Sequence, residues 1–397
     1  MSATMERPGI RRLNPGPVVQ MTLVAAALMP MLGGATIAPA LPEIRDAFAD
    51  VPHASVLTGM ILSTHALAIM LLSPLAGLIG DHTGRKATML AGLAGFALAG
   101  TSGAWLPNLP SILVGRFLLG ASIALLMTSM TGLVGDLFDE ESRRKLLSRQ
   151  QAAGAGGGLL FMLGAGALAT LGWREAFLMY LVGGVLLLPA LIFVPRPNLI
   201  NAPDQSTTGA GSLGRWLVAP VAAMFLVQVL FYVIPTQIPG LFVSEFDASP
   251  FQAAVALSFM TLTMLPMSLL YPRLRKRASG PGLIAVAFAT PVAGFAVMAA
   301  ARSPWAVVAG LMIAASGLAL AAPSLNNWII SGADDAVRGR AVGMLTTGLF
   351  AGQFFSPVIT QPIIDAVGLR PTFLAVAGAS ALAASGYAIL AWRPLAR

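Results

Sequence analysis

"LLSPLAGLIGDHTGRKATMLAGLAGFALAG", residues 71–100, sets Asp81, His82, Arg85 and Lys86 between two apolar runs. A helix needs roughly 20 mostly apolar residues to cross a hydrocarbon core of about 30 Å, at about 1.5 Å per residue. The runs on either side reach that length, so the stretch reads as two spans joined by a short polar turn. The rest of the chain repeats the pattern. Spans are predicted at 18–42, 54–80, 87–106, 112–137, 152–171, 176–194, 217–243, 251–271, 283–301, 305–330, 341–366 and 373–392.

Composition agrees: of 397 residues, 56% are hydrophobic and 10% charged, whereas a soluble domain carries about 25% charged residues. This is a membrane protein. Lipid-exposed backbone must satisfy its own hydrogen bonds, and a β-barrel would show ten-residue alternation in place of unbroken runs. The fold class is therefore all-α, with twelve transmembrane helices. The basic start "MSATMERPGIRRLNPGP" resembles a signal peptide, but the apolar run behind it is long enough to span and shows no clear small-residue cleavage site. It is read as a retained first span.

Lys and Arg counts orient the chain. With the N-terminus in the cytoplasm, cytoplasmic segments hold nineteen Lys and Arg, outer loops hold four (Arg45, Arg174, Arg302, Arg370), and Arg116 lies within a span. Both termini are accordingly expected in the cytoplasm, the membrane being the bacterial inner membrane. The net charge of +8 then reflects topology. A nucleic-acid partner is excluded, because the cations sit in short loops at one face without interleaved aromatics.

Between the sixth and seventh spans, "PRPNLINAPDQSTTGAGSLGR" is the longest polar stretch. It divides the chain into a first bundle (1–195), a cytoplasmic linker (196–216) and a second bundle (217–397). The halves echo each other: "GWREAFL" from Gly172 is answered by "GLRPTFL" from Gly368, 196 residues later, and "DEESRRK" from Asp139 by "DDAVRGR" from Asp334. Internal repeats of this kind build transporters whose substrate sites lie near the membrane midplane.

The stretch "GLIGDHTGRK" resembles the loop between the second and third spans of the major facilitator superfamily. Gly77, Asp81, Gly84, Arg85 and Lys86 fall on its pattern, and His82 stands where a cation is usual. "ALPEIRDAF", "GRFLLGAS", "GDLFDEESRRK" and "GWREAF" occur in the family's order. The resemblance implies a secondary transporter of alternating access, nearest the twelve-span drug/proton antiporters. It also implies that Arg85 pairs with Asp136, in a latch that holds the two halves together on the cytoplasmic side. In that latch Gly77 would let a neighbouring helix approach, and Asp81 would accept from a helix N-terminus or a cation; Gly84 and Lys86 complete the motif.

The sixteen carboxylates fall at span ends or in loops, so the membrane-embedded acid common in proton-coupled carriers is missing. The coupling candidates are His65, near the middle of the second span, Arg116 in the fourth, which matches a family Arg linked to coupling, and Asp46 drawn toward Arg116. A neutral His bonded to a carbonyl, and an Arg snorkelling to the interface, are the bland alternatives. Gln228 and Gln353 fall near midplane with Tyr232 one turn from Gln228, placed to bind substrate or to join helices. Asn326 and Asn327 form a polar knot near the cytoplasmic end of the tenth span.

With no Cys and only His53, His65 and His82, nothing suggests a metal or a cofactor, and no acid stands beside a His within a span to suggest an enzyme. The loops are too short for a receptor or scaffold. No Gly-rich nucleotide loop ending in Lys-Ser/Thr is present, so a gradient must drive transport. The expected function is export of a small amphiphilic or lipophilic compound, coupled to protons, by a monomer. The alternative is an uptake carrier or facilitator for a small metabolite, possibly an organic anion.

Overall fold

The structure, a computed structural model, describes residues 15–196, 214–334 and 337–392. The linker residues 197–213 and both chain ends, on which the placement of the termini rests, lie outside the described residues. Eleven helices are long and apolar enough to cross a bilayer, and a bent pair, Pro17–Leu32 with Thr36–Ala47, makes a twelfth. The described residues contain no strand.

The spans after the bent pair are Ala54–Thr83, Arg85–Ala104, Leu109–Leu137, Glu140–Ala169, Glu175–Phe193, Val218–Phe246, Pro250–Arg275, Gly280–Ala300, Pro304–Gly332, Arg338–Val367 and Leu369–Ala391. The membrane end from which residue 196 leaves is called the linker face here, and the opposite end the far face.

Two spans differ from expectation. The fifth begins at Glu140, well before residue 152, because Asp139 caps it by accepting from the Ser142 amide at 2.8 Å. Its first turns are then held by Glu140–Arg144 and Glu141–Lys145 pairs at i,i+4 spacing. The first span is not one rod: its two pieces meet at 45°. Pro30 and Pro39 lack amide donors, and the break at Gly33–Gly34 presses against a neighbouring span. A Cβ on Gly34 would lie 3.3 Å from His65 Cε1 and closer still to the Tyr232 oxygen.

The internal repeat has a structural counterpart. Arg174, in "GWREAFL", donates to the carbonyls of Gly103, Ala104 and Leu106 at 3.1 to 3.3 Å, closing the end of the third span. Arg370, in "GLRPTFL", donates to Ala299 O at 2.8 Å at the end of the ninth. Each cation satisfies orphan carbonyls at a helix C-terminus. Gly172 and Gly368, two residues earlier, both turn through positive φ (151° and 88°).

Across the halves, the second span packs on the eleventh and the fifth on the eighth. Gly59 lies against Pro357, Ser63 Oγ donates to Phe354 O at 3.4 Å, and Gly166 meets the start of the eighth span at Ala254. Small residues bring the backbones close, where membrane helices gain dispersion and hydrogen bonding. These named contacts all lie in the far half of their helices. There the seventh span is buried without interruption from Tyr232 to Pro239.

Candidate transport site

Arg116 is completely buried. Its Nε donates to Ile61 O of the second span at 2.8 Å, one terminal nitrogen donates to the Tyr180 hydroxyl of the sixth at 2.8 Å, and the other donates to Gly33 O at the break in the first. Tyr180 donates onward to Leu32 O at 3.1 Å. The guanidinium thus joins four spans through carbonyls and a phenol, and none of these partners is a carboxylate. An unsatisfied Arg in mid-membrane costs roughly 2.5 to 3.5 kcal/mol on insertion scales; the carbonyls freed by the broken span help satisfy this one. A snorkelling Arg is excluded by its burial.

The expected approach of Asp46 to Arg116 is corrected. Asp46 is exposed on the far-face piece of the first span and is not among the hydrogen-bond partners of Arg116. The 45° bend carries it to the surface while the carbonyls meet the cation. His65 packs against Gly33 and Gly34 and is buried. Leu62, one turn back on the same helix, supplies the ring with a backbone hydrogen-bond contact, in line with the carbonyl-bonded histidine weighed from sequence.

Among the substrate candidates, Gln353 Nε2 donates to Gln228 Oε1 at 3.4 Å, joining the seventh and eleventh spans. Both amides are half-buried. Tyr232 is buried against Gly34, bridging the halves. Asn326 Nδ2 turns back to Ala322 O of its own helix at 2.9 Å, and Asn327 is half-buried beside it.

At the linker face, Arg85 meets Asp136 at 2.5 Å and donates to Gly132 O at 2.8 Å. Both ends of this ion pair belong to the first six spans, so it ties the third span to the fourth and does not clamp the halves together. The single-residue turn at Gly84, with φ of 91°, leaves Arg85 at the start of the third span, beside the fourth. Gly77 is corrected also: nothing would meet a Cβ there, whereas a Cβ on Gly132 would collide with Arg85 at 2.5 Å. The glycine that makes room is on the fourth span. Asp81 is exposed, and Arg85 of its motif is held by Asp136. Lys86 caps the sixth span by donating to Leu191 O at 2.8 Å.

Two groups of residues escaped the sequence reading. At the far face, Gln237 Nε2 donates to Gln361 Oε1 at 3.0 Å, Gln361 Nε2 to Asp365 Oδ1 at 2.8 Å, and Ser55 Oγ to Asp365 Oδ2 at 2.6 Å. The chain runs from the seventh span through the eleventh to the second, with Arg45 in electrostatic reach of Asp365. Its signal was an amide lodged between Pro235 and Pro239.

The other is a cavity of about 600 Å³ among the first, fourth and fifth spans, lined by Pro30, Met127, Met130, Arg143, Gln150 and Gln151 with apolar neighbours. Its polar wall is the early start of the fifth span.

Among the described residues, eleven membrane-length helices and one bent pair pack together around a buried guanidinium, a multi-pass membrane fold. The chain belongs to the Major Facilitator Superfamily, whose pattern matches residues 23–337, and is a transporter of that family. It is 23% identical over 336 residues to the quinolone resistance protein NorA of Staphylococcus aureus (strain MSSA476), covering 80% of this chain and 83% of NorA. It is 28% identical over 357 residues to the class D tetracycline resistance protein of Salmonella ordonez, covering 84% and 88%. Among solved structures, a D-xylose–proton symporter superposes with a TM-score of 0.77 at 17% identity over 94% of this chain and 97% of its own.

Proposed function

We propose that this chain exports a small amphiphilic or lipophilic compound across the bacterial inner membrane by rocking its two six-span bundles, with protons as the coupling ion. The linker face is cytoplasmic in this reading, and the unit is a monomer. The observation that carries it is the asymmetry of the structure: the halves meet through named contacts at the far face, while the cavity reaches in from Arg143 on the linker side. A carrier loading from the cytoplasm has this shape. The excess of Lys and Arg at the linker end supports this orientation, and two relatives are resistance proteins by name.

His65 is the proposed proton carrier. It is a buried ring packed on the hinge-like break that Arg116 also holds. Imidazole can take up and release a proton at its ring nitrogen. Arg116 holds the break in register, and Gln228, Gln353 and Tyr232 offer polar contacts to the substrate.

The test is transport in proteoliposomes under an imposed pH gradient, screened over a panel of amphiphiles. The expected result is movement of at least one compound out of the compartment facing the linker end, driven by the gradient. Uphill uptake toward the linker side, or transport indifferent to the pH gradient, would overturn the export or the coupling reading respectively.

A further inference from the structure

Resting on the export reading, we propose that the cavity among the first, fourth and fifth spans is built for an amphiphile with an anionic head, and that Arg143 is the group that receives it. Arg143 stands at the cavity's linker-face end and is exposed.

Its neighbours are committed elsewhere. Arg144 is tied to Glu140, Lys145 to Glu141 at 2.6 Å, and Arg149 donates to Gln20 Oε1 at 2.7 Å. Among the described residues, Arg143 alone of the four has no ion pair or side-chain hydrogen bond. Among the described residues that line the cavity there is no carboxylate.

The depth suits an amphiphile. Met127 lies ten residues before the linker-face end of the fourth span at Leu137, which at the helical rise is about 15 Å. From Arg143 inward the wall passes Gln150 and Gln151, then becomes Met127, Met130 and Pro30. Methionine side chains adapt to varied apolar shapes. A head group would meet a guanidinium able to bind a carboxylate or sulfonate through two parallel N–H donors, while the apolar body displaces water from the inner wall.

Charge decides between ligand classes. A cation entering this cavity gives up hydration, meets no carboxylate and approaches a guanidinium, so nothing offsets its desolvation. An anion gives up hydration and gains the Arg143 pair. The chain should therefore select anionic amphiphiles over cationic ones of the same shape.

The test uses pyrenebutyrate and a pyrenebutyl-trimethylammonium of matched ring and chain length, titrated onto the purified chain in phosphatidylcholine nanodiscs and read by pyrene fluorescence. At least tenfold tighter binding of the anion is expected. Arg143→Gln should lower its affinity about tenfold, and Arg143→Glu should reverse the preference. Arg144→Gln, which touches a cation already paired, should change neither affinity. Nanodiscs containing phosphatidylglycerol distinguish the source of the head group: competition would assign a lipid to the site, and undiminished probe binding a soluble acid, both supporting the anion site. Equal affinity for the two probes, or an anion affinity indifferent to both Arg143 variants, would overturn the inference. Binding is read without transport, so a chain that exports nothing sinks the export reading alone, and export of cations only sinks this one alone.

Discussion

Ser55 Oγ donates to Asp365 Oδ2 at 2.6 Å, joining the second span to the eleventh across the two halves of the chain at the far face. Behind it, Gln361 and Gln237 extend the same hydrogen-bonded line into the seventh span. The Ser55 bond must break for the far face to open, while the amide bonds lie within the last six spans and hold Asp365 in place.

Asp365→Ala should therefore shift the resting population toward far-face opening. The chain has no cysteine, so a single Ala38→Cys, at a residue now fully buried in the far-face piece of the first span, reports access directly. Labelling by an impermeant maleimide added from the far face should rise severalfold in the Asp365→Ala background. An unchanged rate would show that the Ser55–Asp365 bond does not hold the face shut.

Arg85 and Asp136 are partly exposed, with side chains 23% and 31% accessible, and a pair so placed is worth about 1 kcal/mol or less. Reversing either charge should impair transport, and exchanging them (Arg85→Asp with Asp136→Arg) should restore part of it. Because the pair lies within one half, far-face labelling of Ala38→Cys should stay constant through the series. A double variant as inactive as the singles, at equal expression, argues against the pairing.

Arg116→Lys keeps the charge and loses the fork. One ammonium cannot reach Ile61 O, Tyr180 Oη and Gly33 O in the geometry of a planar guanidinium, so the variant leaves buried acceptors bare at about 1 to 3 kcal/mol each. A clear drop in melting temperature is expected, detectable by thermal unfolding in detergent. A variant as stable as the wild type would mean that water satisfies these carbonyls.

Gln228→Ala and Gln353→Ala remove an amide pair whose bond is long, 3.4 Å, so stability should fall by a few degrees at most. Substrate affinity should weaken severalfold in each. A large loss of stability with unchanged affinity would assign both residues to helix packing.

His65→Gln retains size and hydrogen bonding but cannot take up a proton. Accumulation driven by a pH gradient should vanish in this variant while substrate-for-substrate exchange persists. If the variant still concentrates substrate under an imposed gradient, the histidine is a packing residue.

The helical spans and the short polar turn between the second and third were legible in the chain, because hydrophobic length is a one-dimensional property. The contact of Arg85 with Asp136 was legible only through resemblance to a family. The break in the first span had its signals in Pro30, Gly33, Gly34 and Pro39, yet apolar length alone reads as an unbroken rod. Which residue faces which neighbour was not legible, since a helix apolar around its whole circumference carries no stripe to mark its inward face. Tertiary packing decided that Gly132 and not Gly77 makes room for Arg85, and that Arg116 is held by carbonyls and not by Asp46. It also brought Ser55 to Asp365, 310 residues away, for the same reason: rotation of each helix about its axis is set by close packing of small residues against partners distant in the chain.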